Sequence, residues 1–188
     1  MVKVHSDHKI KKLLLLNDRT CQKEVYVKYF KLVISITSRY VGFNEDAEEL
    51  TNDVFLKVFD KIEKFDPKYS FVVWLRKVAV NTCIDHYRKN EKTRDIKIIE
   101  LKVGDEKGNK IEPTKFENPE LLPMIKELPA NYRVVFNLFI FEDYTHKEIS
   151  QLLDISEGTS KSALSRAKKI IKNYLQTNNI KPRSLLNG

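Results

Sequence analysis

The sequence predicts an all-α protein of two helical domains joined by a flexible linker, the second containing a helix-turn-helix. Three observations carry that expectation. Apolar residues recur at helical spacing through most of the chain. Glycine is scarce, 5 in 188 residues, where many-turned sheets and Gly-rich nucleotide folds spend more. The stretch from Tyr144 to Leu175 reads as a short helix, a tight turn and a longer basic helix.

The elements follow in chain order. Lys9 to about Leu16 forms a short helix, and Thr20 to about Tyr40 a second, with Val25, Tyr29, Leu32, Val33 and Ile36 along one face. Gly42 breaks it. Asn44 then stands as the N-cap of a run that continues to Phe65, with acidic residues in its first turn. Ala47, Leu50, Val54, Val58 and Ile62 make its apolar stripe, widened by Phe55 and Phe59. Glu45, Glu49, Asp53, Asp60 and Glu63 leave an acidic outer surface. That surface reads first as a solvated face and second as a docking face for a basic or polar protein.

Asp66-Pro67 interrupts the pattern and Tyr69-Ser70 follow, so a loop is expected. Ser70 is placed as the cap of a helix from Phe71 to about Asn90. Trp74, Leu75, Val78, Ala79 and Thr82 mark one side of it, while Lys77, Asn81, Asp85 and Arg88 share another. Phe65, Tyr69 and Phe71 give the loop aromatic character. Single-stranded DNA binding uses this combination: aromatics take unstacked bases and cations hold phosphates. Packing roles compete residue by residue, with Trp74 read as core and Asp85 as a partner for Lys89 or Arg88.

From about Lys92 to Glu120 periodicity fades into a Gly-, Pro- and charge-containing linker. A short helix, Glu120 to Leu128, follows. Pro129 then introduces a segment whose Val134, Val135, Leu138 and Phe139 supply an apolar surface. Thr145 is an N-cap and Glu148, three residues on, completes a capping box. Asp154-Ile155-Ser156 makes the turn, and Ser156 or Thr159 starts the last helix, which buries Ala163 or Leu164, Ala167, Ile170 and Ile171. In a helix-turn-helix the start of the second helix meets base edges. Here Thr159, Ser160, Lys161 and Ser162 occupy that start, Arg166, Lys168 and Lys169 are placed for phosphates, and His146 and Lys147 for the DNA backbone. A helical protein-interaction module is the alternative for this block.

Net charge is +8, concentrated as +6 in residues 1–94 and +3 in residues 127–188, with −1 between. The balance suits a polyanion partner, or an ordinary lysine-rich surface. Cys21 and Cys83 are far apart and lack metal-ligand spacing, as in a reduced cytoplasmic protein. The LLLL run at Leu13–Leu16 ends at once in charge, and no window is long enough for a span, so neither a signal peptide nor membrane insertion is expected. His5, His8, His86 and His146 lack ligand-like spacing and no phosphate-cradling Gly loop is present. No catalytic site, metal or cofactor is expected, and the chain does not read as an enzyme.

Two signatures resemble the sigma-70 family of bacterial RNA polymerase sigma factors, in its small extracytoplasmic-function (ECF) group. The first is DAEELTNDVFLKVF at Asp46–Phe59 with FVVWLRKVAVNTCIDHYRK at Phe71–Lys89, which resembles the family's second region, including Trp74, Leu75, Val78, Ala79, Asn81, Asp85 and Arg88. The second is LPANYRVVFNL at Leu128–Leu138 with Tyr144–Lys169, which resembles the fourth region. The resemblance implies a second-region domain over 9–94, a linker over 95–118 and a fourth-region domain over 119–176. It implies that Asp46, Glu49, Asp53, Leu56 and Lys57 bind core RNA polymerase. Phe65, Lys68, Tyr69, Ser70, Lys77, Asn81, Asp85 and Arg88 would hold opened, single-stranded minus-ten promoter DNA. His146, Lys147, Thr159, Ser160, Lys161, Ser162, Arg166, Lys168 and Lys169 would meet the minus-thirty-five duplex. It also admits an anti-sigma factor as a partner. The recognition helix departs from the family's common pattern, with Ser160 in place of an apolar residue and Ala163 in place of an arginine. A conventional helix-turn-helix regulator, binding duplex DNA without polymerase, is the alternative.

Overall fold

A computed structural model describes residues 6–42, 45–90 and 121–178. Among the described residues the chain forms eight α-helices, one short 3-10 turn and no strand. They divide into two compact units, 6–38 with 45–86, and 39–42 with 87–90 and 121–178. The expected N-cap Asn44 and the linker 95–118 lie outside the described residues.

The first unit is built from α1 (Asp7–Leu15), most of α2 (Arg19–Val41), α3 (Glu45–Asp60) and most of α4 (Phe71–Asn90). α2 begins where Asp18 Oδ1 accepts from the Cys21 amide at 2.7 Å, an aspartate cap that sets the start one residue before Thr20. Val25, Tyr29, Val33 and Ile36 of α2 are buried, with Ala47, Leu50, Val54, Phe55 and Val58 of α3 and Leu75 and Ala79 of α4. Leu32 is only partly buried, at the edge of that face. A polar link crosses this core. The buried Thr37 hydroxyl lies 3.2 Å from the Ala47 carbonyl and 2.9 Å from the Thr51 hydroxyl, so neither threonine leaves its oxygen unsatisfied.

α3 is shorter than its hydrophobic stripe suggests. It stops at Asp60 and a 3-10 turn, Ile62–Lys64, follows. Lys64 donates to the Lys61 carbonyl and Phe65 to that of Ile62, the three-residue bonds of a tightened turn. Pro67 keeps Asp66 out of the helical region and prevents continuation. Ile62 stays buried, so the stripe outlasts the helix by a turn.

The second unit holds α5 (Leu121–Lys126), α6 (Ala130–Ile140), α7 (His146–Leu153) and α8 (Glu157–Thr177). α8 packs on α6 and α7. Val134, Val135 and Leu138 of α6 meet a core with Ile149 and Leu152 of α7 and Leu164, Ala167 and Ile171 of α8. Phe136 is buried as well, whereas Phe139 is only partly so. Ala163 and Leu164 are both buried, and Ile170 sits at the boundary.

Candidate nucleic-acid and protein interfaces

The outer side of α3 carries Asp46, Glu49, Asp53 and Leu56, all exposed, at helical spacings of three, four and three. Leu56 is 66% exposed, a large apolar side chain in an acidic field. An apolar anchor rimmed by charge is the usual makeup of a protein contact. Lys57 points elsewhere. Its Nζ pairs with Asp85 Oδ2 of α4 at 3.1 Å, with both side chains half-exposed. The expected partners of Asp85, Lys89 or Arg88, are replaced by a residue 28 positions away. Such a pair contributes at most about 1 kcal/mol, but it orients Asp85 on the α4 face.

That face presents Lys77, Asn81, Asp85 and Arg88, each partly exposed. Beside it, Lys68, Tyr69 and Ser70 are exposed, Tyr69 by 42%. Phe65, expected among the DNA-facing aromatics, is instead core. It and Phe71 are fully buried, with ring centroids 5.4 Å apart in an edge-on pair. Trp74 lies 5.3 Å from Phe65 and 5.8 Å from Phe71, and Tyr29 5.4 Å from Phe71. The 3-10 turn brings Phe65 beneath the start of α4. Val58, Ile62 and Phe65 continue one stripe at spacings of four and three, the signal that marks Phe65 as core. Of the loop's three aromatics only Tyr69 is left for a base.

In the second unit Thr145 caps α7 through a capping box. Its Oγ1 accepts from the Glu148 amide at 3.2 Å and Glu148 Oε2 accepts from the Thr145 amide at 2.7 Å. Asp154 closes the helix in the left-handed region, φ 51°. Ser156, rather than Thr159, starts α8, its Oγ accepting from the Thr159 amide at 2.9 Å. Lys147, Thr159, Lys161, Ser162, Arg166 and Lys169 are exposed and Lys168 is partly buried. Ser160 is not on this surface. It is fully buried, with Oγ 2.9 Å from Nδ1 of His146. Facing inward, where the family pattern has an apolar residue, it keeps its hydroxyl by finding this partner. His146 is partly buried and stacks on Phe139 at 4.7 Å. Both residues therefore join α7 to α8. Ala163 is also buried, so its methyl packs between helices. Tyr132 of α6, unremarkable in the sequence, accepts from Arg166 Nη1 at 3.0 Å and orients that guanidinium. A separation of 34 residues leaves no sequence signal for it.

Burial holds the His146 pKa below its ordinary value near 6.5, with Lys161 acting the same way; Glu157 opposes and Lys168 adds. The unfolded chain therefore takes up a proton first as pH falls. The stability that His146 contributes is complete above about pH 6.5 and declines as pH drops through that value. Melting temperature should fall from about pH 7.5 to about pH 5.5, and His146→Asn should reduce the slope. Thermal melts of both proteins across that range check it.

Among the described residues no three His, Cys, Asp or Glu side chains gather as a metal set, and no helix is long and apolar enough to cross a membrane. Cys21 and Cys83 are buried. Burial, reinforced by Asp18 and Glu24, pushes the Cys21 thiol up, away from nucleophilic character.

A capped helix-turn-helix with a basic second helix stands in one chain with a separate helical unit bearing an acidic face. The chain matches Sigma-70 region 2 over residues 25–93 and Sigma-70, region 4 over residues 120–171. It is 30% identical over 152 residues to the ECF RNA polymerase sigma factor SigM of Bacillus subtilis, covering 79% of this chain and 91% of that protein. It is 27% identical over 164 residues to the ECF RNA polymerase sigma-E factor of Escherichia coli, covering 80% and 84%. The chain belongs to the sigma-70 family, in the ECF group, and is a sigma factor of promoter recognition and transcription initiation.

Proposed function

We propose a division of labour between the units. Residues 9–94 bind core RNA polymerase through Asp46, Glu49, Asp53 and Leu56, with Lys57 supporting from the edge. The same domain holds unpaired minus-ten DNA with Lys68, Tyr69 and Ser70 of the loop and Lys77, Asn81, Asp85 and Arg88 of α4. Phe65 is the floor beneath that loop. Residues 119–176 set Lys161, Thr159 and Ser162 at the minus-thirty-five bases, with Lys147, Arg166, Lys168 and Lys169 on phosphates. Ser160 and His146 hold the two helices at the required angle. Residues 95–118 connect the two. The protein works in the cytoplasm with polymerase, and an anti-sigma factor is a further partner.

Catalysis belongs to polymerase. The sigma factor supplies binding energy: capture of an unstacked base contributes about 1–3 kcal/mol, against an unpairing cost of a few kcal/mol. The observation that carries the reading is the acidic α3 face with its exposed Leu56. A regulator that only binds duplex DNA would leave this face to solvent. Pull-down with core enzyme followed by transcription from candidate promoters is the test. Core binding with promoter-specific transcripts is expected. Duplex binding without core binding would leave an ordinary helix-turn-helix regulator.

A further inference from the structure

The loop 65–70 is tied at both ends to a single turn of α1. At its entry, Lys11 Nζ donates to the Phe65 carbonyl at 2.5 Å and the Glu63 carbonyl at 3.2 Å. These carbonyls close a 3-10 turn, where acceptors lack intrahelical partners and a lysine is a natural donor. At its exit, the Phe71 amide donates to Asp7 Oδ2 at 3.1 Å. Phe71 is the first residue of α4, so this N–H is one of the orphan donors of a helix start, and a carboxylate there also meets the positive end of the helix dipole. The Ser70 carbonyl accepts the first α4 bond, from Trp74 at 3.2 Å. Ser70 therefore holds the capping position while Asp7, from 64 residues away, supplies a capping carboxylate.

Asp7 and Lys11 are four residues apart and so lie on one face of α1. Ile10 and Leu14, both buried, fix that helix on the core. Between the two ties the loop folds on itself. Asp66 Oδ1 accepts from the Lys68 amide at 3.0 Å and the Asp66 carbonyl from the Tyr69 amide at 3.1 Å. Pro67 leans toward α1, lining a shallow groove with Lys11 and Leu15. Every tie goes to backbone, so it constrains loop geometry whatever the loop's side chains are.

We propose that Asp7 and Lys11 are positioning residues for minus-ten recognition, a two-point strap that sets the conformation in which Lys68, Tyr69 and Ser70 are offered to unpaired DNA. The inference rests on the reading of this loop as the minus-ten contact. A reader that captures unstacked bases must be held in shape before they arrive, because ordering the loop on binding would subtract from affinity and blur discrimination. α1 supplies that order without touching DNA through these two groups.

The test uses the full chain with core polymerase. Binding of single-stranded minus-ten oligonucleotides is measured for a preferred sequence and for single-base variants of it, and hydrogen exchange is followed at residues 63–71. Asp7→Ala and Lys11→Met should each reduce discrimination roughly tenfold, the scale of a lost hydrogen bond to a charged group. They should also speed exchange at Lys68–Phe71, with core binding unchanged. Asp7→Asn and Lys11→Arg, which keep an acceptor and a donor, should restore most of the discrimination. A purely structural role would lower melting temperature without changing relative base preference, and that result overturns the strap. Should either severe variant fail to fold, Lys11→Gln at low temperature decides by the same two readouts. Tyr69→Ala separates the underlying reading. If it changes base preference while the strap variants do not, the loop reads DNA and the strap is wrong. If it changes nothing, the loop is not the minus-ten contact and the assignment itself fails.

Discussion

Replacing Glu49 and Asp53 together by lysine is expected to abolish binding to core RNA polymerase while leaving the protein folded. The two carboxylates stand one turn apart on the outer side of α3, opposite the stripe Ala47, Leu50, Val54 and Val58 that is buried. Their side chains meet solvent, so exchange at these sites should alter stability by no more than about 0.5 kcal/mol each. At an interface the consequence is different. A partner that complements an acidic face must be basic there, and like charges brought together cost several kcal/mol. At about 1.4 kcal/mol for each factor of ten, affinity should fall at least about a thousandfold. Leu56→Ala, removing the apolar anchor, should weaken the same complex more modestly. Titration of labelled protein with core enzyme, with circular-dichroism melts alongside, makes the comparison. Undiminished core binding would return this face to the solvated reading.

Phe71→Ala is expected to destabilise the first unit by about 3–5 kcal/mol, the usual range for removing a buried phenyl ring. The ring is fully buried against Tyr29, Phe65 and Trp74. Set against a total of about 5–15 kcal/mol for a small domain, that loss is large enough to populate unfolded chain at moderate temperature. The two possible roles of this aromatic predict opposite results. As a core residue, its truncation lowers the denaturant midpoint and spoils minus-ten and core binding together, because α2, the loop and α4 share its packing in the unit that carries both faces. As a base-stacking residue, it would leave the midpoint unchanged and weaken only single-stranded DNA. Urea unfolding beside oligonucleotide binding distinguishes them, and Tyr69→Ala, at an exposed site, should show the second pattern.

The helix content and its punctuation were legible in the sequence because they depend on neighbours within a few residues. The Thr145–Glu148 capping box is a local exchange between positions three apart. The apolar stripes of α2 and α3 are repeats of 3.6 residues, whichever element they pack against. The end of α3 was less legible. Helix and 3-10 turn share the run through Ile62, and only the bonds from Lys64 and Phe65 three residues back distinguish them. Residues on the α4 face were found by spacing alone, since Lys77, Asn81, Asp85 and Arg88 need no partner to share a side.

What spacing could not supply was the direction of individual side chains across elements. Phe65 and Phe71 sit in a stretch that looks like an aromatic loop, yet the fold turns both inward. Ser160 stands among recognition-helix positions, yet it faces α7 and bonds His146. Lys57 and Asp85, Arg166 and Tyr132, and the ties from Asp7 and Lys11 join residues 28 to 64 positions apart. The sequence by itself determined the helices, their order, the two family regions and the charge on each face, because these are properties of local pattern and composition. Only the tertiary structure decided which polar and aromatic groups are spent on holding the helices together and which remain for a partner, because that choice depends on contacts between residues remote in the chain.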